Sequence, residues 1–455
     1  MSKAKIFYFT LQDEQTKDEK LDWFERARFE QIPFDHITPD QKANWINLTD
    51  NDFDSFLPLI AKEVKTGKSQ EAVFQLFSRG VETNRDEWVY NYEHKSLIKR
   101  IRFFIERYNQ SVKTGTHDPE IKWSSSLEEY AKSKLRITYQ DSLLIKSLYR
   151  PYAKLSFYGE KILSHRLTQN HFEIFGDKLN QANISICVTD VGSQKPFMAI
   201  ASNVVPDLHV VGAACSAQCL PLYRYDENGN RIDNITDWSL TQFQTHYNDP
   251  TITKENIFHY TYAVLHHPAY RTKYELNLKR EFPRLPFYAD FHQWATWGKA
   301  LMDLHLNYET VEPYGLRRVD VGRVRANGDS PLQGSLIPTD EPDSTKPIKR
   351  TTPKAKLKAD KTEGKIILDT ETTLEGIPTV AWDYKLGNRS ALEWILDQYK
   401  EKKPKDPTIA KLFNTYKFAD YKEQVIDLLQ RVCTVSDRTM EIIQQMPDTV
   451  EHQGD

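Results

Sequence analysis

The sequence predicts a mixed α/β fold of the α+β kind, with a mixed sheet, flanking helices and a mainly helical C-terminal part. Two observations lead to this class. Short segments rich in β-branched and aromatic residues alternate irregularly with longer segments whose apolar residues recur every three or four positions. The chain has 455 residues, 39% of them hydrophobic and 27% charged, which is typical of a globular protein with roughly two or three domains.

The first predicted elements are a strand over residues 4–9 and a helix over residues 16–28. The helix places Leu21 and Phe24 on one face. A short strand followed at once by a helix is typical of the end of an α/β domain rather than of its beginning. We therefore expect residues 1–70 to form the end of a preceding catalytic domain together with a connector.

The clearest helical pattern covers residues 93–108, where apolar residues fall on one face at spacings of three and four. The opposite face is basic and carries Lys95, Lys99 and Arg102. Residues 226–230 are rich in Asp, Asn and Gly and predict a tight turn between two short strands. Further strands are predicted at residues 184–189, 204–211 and 365–368, and further helices at residues 254–265, 268–282, 291–306, 390–399 and 419–446.

The composition changes from residue 317 to residue 363, where Gly, Pro, Ser, Thr and Lys replace most apolar residues. Between Lys346 and Lys365 there are eight Lys and Arg residues against two acidic residues. Such a segment is typical of a linker or a mobile arm. The predicted organisation is therefore an N-terminal part (1–70), a main domain (71–316), a basic linker (317–363) and a C-terminal, mainly helical part (364–455).

Charge and cysteine content exclude several classes of protein. The net charge of −3 gives no global positive field, so binding to a polyanion needs cations segregated onto one face. The four cysteines have irregular spacing, which indicates buried thiols rather than a disulfide framework or a metal site. The sequence has neither a signal peptide nor an apolar run of the ~18 residues that a membrane span needs. We expect a cytoplasmic location and no membrane partner.

The sequence contains no legible catalytic motif. Adenine methylation needs a glycine-rich cofactor loop and an Asn/Asp-Pro-Pro-aromatic segment, and both are absent. The triplet at residues 67–69 (GKS) lacks the earlier glycine of a phosphate-binding loop, since Lys62 occupies that position. No cluster of carboxylates and lysine typical of a magnesium-dependent nuclease stands out. We therefore assign no catalytic residue and no metal ligand.

Residues 77–88, FSRGVETNRDEW, are dense in groups that bind anions and read base edges. Arginine can bond to O6 and N7 of guanine, and asparagine can bond to N6 and N7 of adenine. We therefore predict that Arg79, Thr83, Asn84 and Arg85 contact DNA from a turn around Gly80. The same residues also suit a structural turn whose Arg85 forms a local ion pair, and the residue types alone do not separate the two interpretations.

A second group of cations follows, interleaved with tyrosines, and this mixture suits contacts to a nucleic-acid backbone. It also suits any packed protein surface. With the basic face of the 93–108 helix, this group completes the predicted DNA contacts: Lys95, Lys99, Arg102, Lys134, Arg136, Arg150, Lys154 and Arg166.

Several blocks together resemble the C-terminal specificity region of type ISP restriction-modification enzymes. They are FSRGVETNRDEWVY (77–90), LYRPY (148–152), LPLY (220–223), NIFHYTYAVLHHPAYR (256–271), LKREFPRLP (278–286) and YKLGNRSALEW (384–394). The resemblance covers nearly the whole chain, and the long blocks between residues 256 and 286 are its most specific part.

The resemblance implies a role within a larger enzyme. Enzymes of this family carry a nuclease, a helicase-like ATPase, an adenine-N6 methyltransferase and a C-terminal target-recognition domain. This chain resembles only the last part, so residues 71–316 would be the DNA target-recognition domain and residues 1–70 the end of a methyltransferase-like domain. The implied cofactors, S-adenosylmethionine, ATP and magnesium, would belong to the missing catalytic parts and none to this chain.

We therefore expect sequence-specific recognition of double-stranded DNA as the specificity part of a restriction-modification system, without enzymatic activity of its own. The catalytic methyltransferase and helicase domains would lie on the same full-length polypeptide or on a separate chain. Two alternatives stay open. One is a self-contained DNA adenine methyltransferase or nuclease with unreadable motifs, and the other is a docking module for a separate catalytic subunit.

Overall fold

Short strands and helices alternate along the described part of the chain, as the sequence patterns predict. The computed structural model describes residues 4–12, 14–39, 45, 51–212, 215–321 and 353–450. Its strands are β1 (Ile6–Tyr8), β2 (Asp35–Ile37), β3 (Leu57–Pro58), β4 (Ser78–Arg79), β5 (Tyr90–Asn91), β6 (Leu144–Arg150), β7 (Ala153–Tyr158), β8 (Ser185–Thr189), β9 (Ala199–Ser202), β10 (Val205–Pro206), β11 (Ala217–Pro221), β12 (Tyr223–Tyr225), β13 (Arg231–Asp233), β14 (Arg284–Leu285), β15 (Arg317–Asp320), β16 (Ala355–Asp360), β17 (Lys365–Asp369), β18 (Thr372–Glu375), β19 (Lys385–Leu386) and β20 (Arg389–Ser390).

The helices are distributed over all parts of the described chain. They are α1 (Lys17–Arg26), α2 (Lys62–Lys65), α3 (Asp86–Val89), α4 (His94–Thr114), α5 (Ser125–Lys132), α6 (Gln169–Phe175), α7 (Asp237–Tyr247), α8 (Lys254–Val264), α9 (Pro268–Lys273), α10 (Glu275–Arg280), α11 (Phe291–Leu306), α12 (Val380–Asp383), α13 (Ala391–Gln398) and α14 (Phe418–Ile443). The mixed α/β class predicted from the sequence is confirmed.

The central sheet has the strand order β4-β11-β8-β9, and all of its strand pairs are antiparallel. Successive side chains of a strand point to opposite faces. In β8, Ile186 and Val188 pack into one apolar core, whereas Cys187 packs into another. The sheet is therefore buried on both sides, which explains why the predicted strand at residues 184–189 is a continuous apolar run.

Helices α8 and α11 pack together in the first of these cores, behind the central sheet. Their close approach depends on Gly298, because a Cβ atom at this position would lie 1.8 Å from the carbonyl oxygen of His259. The sequence predicts both helices over residues 254–265 and 291–306, and the structure confirms them. The helix predicted over residues 268–282 is instead two short helices, α9 and α10, which meet at Tyr274.

A second four-stranded sheet has the order β10-β6-β7-β5, in which β10 runs parallel to β6. The long helix α4 packs near it and contributes Leu97, Ile101 and Phe104 to a third apolar core. The apolar face predicted for residues 93–108 is thus confirmed, and the helix continues to Thr114. The predicted strand at residues 204–211 shortens to β10, because the chain turns where Asp207 accepts a hydrogen bond from the backbone nitrogen of His209 (2.9 Å).

The packing differs from the predicted organisation at two boundaries. Residues 53–64 do not behave as a connector, since Phe53 and Leu59 are fully buried in the first core and β3 pairs with β14. The ends of the predicted basic linker at residues 317–363 are strands, because β15 and β16 form the outer strands of the sheet β15-β18-β17-β16. Alternating Lys and apolar residues in β16 suit an edge strand with one wet face. Residues 322–352 of that linker lie outside the described residues.

The C-terminal part does not form a core of its own. Leu392, Val425 and Leu429 pack in the second core together with Cys187 and Cys219 of the central sheet. Among the described residues, no helix is long and apolar enough to cross a membrane. The same residues contain no group of three or more His, Cys, Asp or Glu side chains arranged to hold a metal ion.

Replacing Gly298 tests the packing of α8 against α11. Gly298→Ala should lower the free energy of unfolding by about 3 kcal/mol or more, because the new methyl group collides with backbone rather than with a movable side chain. Gly315→Ala is the matched control, since a Cβ atom there meets nothing within 4 Å. Urea unfolding measures both variants, and equal stabilities for the two would contradict the close approach.

Buried histidines predict that the protein loses stability in mild acid. Burial lowers the pKa of His305 to about 3 and the pKa of His171 to about 4. An unfolded histidine has a pKa near 6.5, so between roughly pH 4 and 6.5 the unfolded chain binds protons that the folded chain does not. The contribution of these histidines to the free energy of unfolding should be fully present above pH 6.5. It should decrease as the pH falls below this value, by up to about 1.4 kcal/mol per pH unit for each histidine.

Urea unfolding at pH 7.5, 6.5 and 5.5 measures this dependence in a range where ordinary carboxyl groups stay ionised. His305→Gln removes one of the buried imidazoles and should reduce the slope. A slope that is the same in His305→Gln and in the natural sequence would contradict the burial of a neutral imidazole at position 305.

Candidate nucleic-acid interface

Residues 79–88, here called the 79–88 loop, are held by backbone hydrogen bonds to distant parts of the chain. The backbone nitrogen of Val81 donates to Pro206 (2.8 Å), and the carbonyl of Val81 accepts from Leu208 (2.9 Å). The carbonyl of Glu82 accepts from the backbone nitrogen of His165 (2.7 Å). The loop therefore bridges the central sheet and the second sheet, and its conformation is fixed on both sides.

Gly80 allows the backbone of the 79–88 loop to lie close to the backbone of residues 207 and 208. A Cβ atom at position 80 would lie 2.4 Å from the carbonyl oxygen of Asp207, which is closer than any side chain tolerates. The sequence predicts a turn around Gly80, whereas in the structure close backbone packing sets the position of this residue. Main-chain amides near Gly80 are used within the fold, since the nitrogen of Gly80 itself donates to Ala217 (3.2 Å).

The loop lines a cavity of about 680 Å³. Asn84 lies at its wall with a positive φ of 55°, a left-handed conformation that asparagine tolerates better than most residues, and its side chain is exposed. Residues from four separate stretches of the chain complete the wall. The lining residues are Glu82, Thr83, Asn84, Arg85, Asp86, Glu87, Trp88, Lys122, Tyr149, Asp207, Leu208, His209, Lys405, Asp406 and Pro407.

The sequence predicts that Arg85 contacts DNA, whereas in the structure its side chain does not point into solvent and its guanidinium is used within the fold. Its side chain is buried, with 1% of the residue exposed. The guanidinium donates to the carbonyl of Leu163 (2.6 Å) and to the hydroxyl of Ser124 (2.5 Å), and it lies over the ring of Phe104. Burial lowers the pKa of Arg85 to about 10. The alternative of a structural turn therefore holds for this residue, although its partners are distant in sequence and neutral.

Thr83 and Arg150, two further predicted DNA contacts, are also buried and have partners within the fold. The hydroxyl of Thr83 is buried and donates to the carboxylate of Asp86. The guanidinium of Arg150 forms a buried ion pair with Asp207 (2.6 Å) and stacks over Tyr149 at 4.0 Å. Burial raises the pKa of the Asp207 carboxyl, and the neighbouring guanidinium opposes that rise. A buried pair of this kind is costly to break, because either partner alone would be an uncompensated charge.

Lys154 is likewise engaged, because its ammonium pairs with Glu309 (2.9 Å) and only 13% of its side chain is exposed. Arg79 is different: 44% of its side chain is exposed, and the one ion pair that it makes among the described residues, with Glu82, is long at 3.7 Å. Among the other predicted contacts, Arg102 lies over the ring of Tyr139 at 4.5 Å.

Six of the predicted DNA contacts have exposed side chains that do not line the cavity. They are Lys95, Lys99, Arg102, Lys134, Arg136 and Arg166.

The acidic residues of the cavity wall are mostly used within the protein. Asp86 accepts hydrogen bonds from Thr83 and from the hydroxyl of Tyr149 (3.1 Å). Asp207 is paired with Arg150. In the described part of the chain, three exposed lining side chains make no hydrogen bond or ion pair: those of Asn84, Lys122 and Lys405. One amide and two ammonium groups are therefore available to a ligand at this wall.

Sequence reasoning missed Lys122, His209 and Lys405. They come from loops far from the 79–88 loop in the chain, and only the folded structure brings them to one cavity. His209 is held by a hydrogen bond between its Nδ1 and the carbonyl of Cys215 (2.9 Å). A signal existed for Lys405 alone, because it ends the lysine-rich run at residues 400–405.

The buried position of Arg85 predicts a structural role that mutation can separate from binding. Arg85→Ala should lower the free energy of unfolding by about 1–3 kcal/mol or more, because Leu163 and Ser124 lose a buried donor. Arg79→Ala should change it by only about 0–1 kcal/mol, since its ion pair is exposed. Urea unfolding compares the two variants. Equal stability of both would contradict the burial of Arg85.

The fold resembles those of several solved structures. A cryo-EM structure of a DrdV–DNA complex matches with a TM-score of 0.79 and 42% sequence identity, over 98% of this chain and 44% of that one. A nuclease-deletion mutant of the type ISP restriction-modification enzyme LlaGI, in complex with a DNA substrate mimic, matches with a TM-score of 0.71 and 27% identity, over 99% of this chain and 39% of that one. The ATP-dependent type ISP restriction-modification enzyme LlaBIII bound to DNA matches with a TM-score of 0.71 and 25% identity, over 92% of this chain and 26% of that one.

This chain therefore spans less than half the length of each of these enzymes. No curated protein sequence matches it significantly. The family model of the type ISP C-terminal specificity domain matches residues 72–428, which is most of the chain and includes the 79–88 loop and the lysines at residues 400–405. The resemblance found in the sequence is confirmed, and the chain belongs to the family of type ISP C-terminal specificity domains.

Proposed function

We propose that this chain recognises a short DNA sequence as the specificity part of a restriction-modification enzyme. Its family and the DNA complexes of its structural neighbours support this function. The observation that carries it is the cavity wall, where the unpaired side chains of Asn84 and Lys122 are presented by a loop that backbone hydrogen bonds hold in place. Precise positioning of a polar side chain is what reading a base edge requires.

Asn84 has the chemistry of a base reader. The NH₂ group of its amide can donate to N7 of adenine, and its carbonyl oxygen can accept from the N6 amino group. Arg79, on the strand that leads into the loop, offers guanidinium donors to a guanine or to a phosphate. Exposed cations elsewhere would hold the phosphate backbone without reading sequence. These are Lys95, Lys99, Arg102, Lys134, Arg136 and Arg166.

The catalytic parts would lie outside these residues, and the N-terminal segment offers them a docking surface. Helix α1 has no buried residue, and Phe24 and Phe29 are 66% and 74% exposed. Phe7 and Leu21 add to this apolar surface. Several large exposed apolar side chains within one short segment suit contact with another protein segment. Its occupant in this proposal is a methyltransferase-like domain in the cytoplasm, and that domain and its helicase and nuclease companions would use S-adenosylmethionine, ATP and magnesium.

Asn84→Gly tests the proposed reading of bases. Glycine keeps the positive φ of this position, so the variant removes the amide and leaves the loop conformation intact. Selection of bound duplexes from a random pool should give a short motif for the natural sequence. The variant should lose preference at one position of that motif, by about 1–3 kcal/mol of discrimination.

Lys99→Ala provides the comparison, because an exposed lysine that contacts phosphate should weaken binding evenly on all sequences. An unchanged motif for Asn84→Gly, or an even loss on all duplexes, would contradict base reading by Asn84. Thermal unfolding of both variants shows that the fold is retained.

A further inference from the structure

Residues 400–407 dock onto the 79–88 loop although more than 300 residues separate the two segments. Both carboxylate oxygens of Glu87 accept backbone hydrogen bonds, one from Lys405 (2.9 Å) and one from Asp406 (2.8 Å). The indole nitrogen of Trp88 donates to the carboxylate of Asp406 (2.8 Å). A carboxylate that accepts two backbone amides fixes the path of the segment it binds.

The docked segment is anchored on its far side as well. The other carboxylate oxygen of Asp406 accepts from the backbone nitrogens of Thr408 (3.0 Å) and Ile409 (3.1 Å). Ile409 is 2% exposed in the third core. Phe413 packs edge-on against Trp88, whose ring is fully buried. The segment of residues 400–407 is thus held in place at the interface by contacts on both of its sides.

Lysines on this fixed segment carry an excess of positive charge. Lys400, Lys402, Lys403 and Lys405 are all exposed. Lys402 pairs with Asp397 (3.3 Å), while the other three make no ion pair within the described residues. The acid between them, Glu401, is engaged elsewhere, because it accepts the backbone nitrogen of Phe418 (2.9 Å).

The lysines line the cavity of Asn84 and a cavity next to it. Lys405 lines the same 680 Å³ cavity as Asn84 and Lys122. Lys400, Lys402 and Lys403 line a neighbouring cavity of about 250 Å³, and both cavities share Asp86 and Glu87 as a common wall. A ligand that reaches Asn84 therefore meets ammonium groups on the C-terminal side of the loop.

We propose that the lysines at residues 400–405 bind the DNA phosphate backbone next to the bases that Asn84 reads. This inference rests on the proposed function and adds a backbone-contact surface supplied by the C-terminal part of the chain. An ammonium is a point charge without the planar fork of a guanidinium, so it suits phosphate contacts that tolerate any sequence. Glu87 is the positioning residue, since it holds the lysine segment against the 79–88 loop.

The first test measures the salt dependence of DNA affinity for the full chain. The double variant Lys403→Gln/Lys405→Gln should reduce the slope of log K against log salt concentration by about 1–2, through loss of one or two phosphate contacts. Its effect should be equal on all duplexes, and the selected motif should not change. Lys356→Gln/Lys358→Gln is the matched control, because these lysines are also exposed, have the same spacing and line neither cavity.

A slope that is unchanged in the first variant, or equally reduced in the control, would overturn the inference while the proposed function stands. A changed motif would overturn the assignment to phosphate. If the natural sequence itself shows no salt-dependent binding to DNA, the proposed function and this inference both fail.

The second test separates positioning from charge. Glu87→Ala removes a negative charge and so makes the interface more positive, yet it releases the backbone of Lys405 and Asp406. The inference predicts weaker DNA binding, by about tenfold if roughly one phosphate contact worth 1.4 kcal/mol is lost. If the net charge of the interface alone determined DNA affinity, removal of the Glu87 carboxylate would instead strengthen binding. Stronger or equal binding by a folded Glu87→Ala variant would overturn the positioning role, and thermal unfolding confirms that it is folded.

Discussion

The interface depends on hydrogen bonds that tie the 79–88 loop to segments distant in the sequence. Val81 pairs with residues 206 and 208, Glu82 with His165, and the side chain of Glu87 with residues 405 and 406. These bonds satisfy polar groups that would otherwise be costly to bury. They also hold Asn84 in a left-handed conformation with its amide exposed. Rigid presentation of a polar side chain limits the entropy lost on binding, which favours selective contacts.

Buried cations explain why a segment so rich in charge is only partly available to DNA. Arg85 fills the inside of the loop and satisfies the carbonyl of Leu163 and the hydroxyl of Ser124. Arg150, at the end of β6, forms an ion pair with Asp207, which directly follows β10. Each guanidinium has several donors in a fixed geometry, so one residue can join two or more segments. The outward-facing residues Arg79 and Asn84 remain for a ligand.

Much of the fold could be predicted from local patterns. Helices α8 and α11, the strand β8 and the turn at residues 226–230 follow from periodicity and turn chemistry. The pairing of β3 with β14 and of β15 with β18 could not be predicted, because strand partners distant in sequence leave no local signal. The same limit applies to the site. The motif at residues 77–88 could be recognised in the sequence. The inward orientation of the Arg85 side chain and the position of Lys405 beside this motif depend on tertiary packing and could not be predicted.

Crosslinking from position 84 tests the central claim most directly. All four cysteines are buried, so an Asn84→Cys variant offers one exposed thiol that a photoreactive maleimide can label selectively. After irradiation with the selected duplex, the account predicts a covalent adduct at a base within the recognised motif, and free DNA of the same sequence should compete with it. Adducts spread evenly along the duplex, or no adduct despite saturating binding, would contradict the placement of Asn84 at the bases.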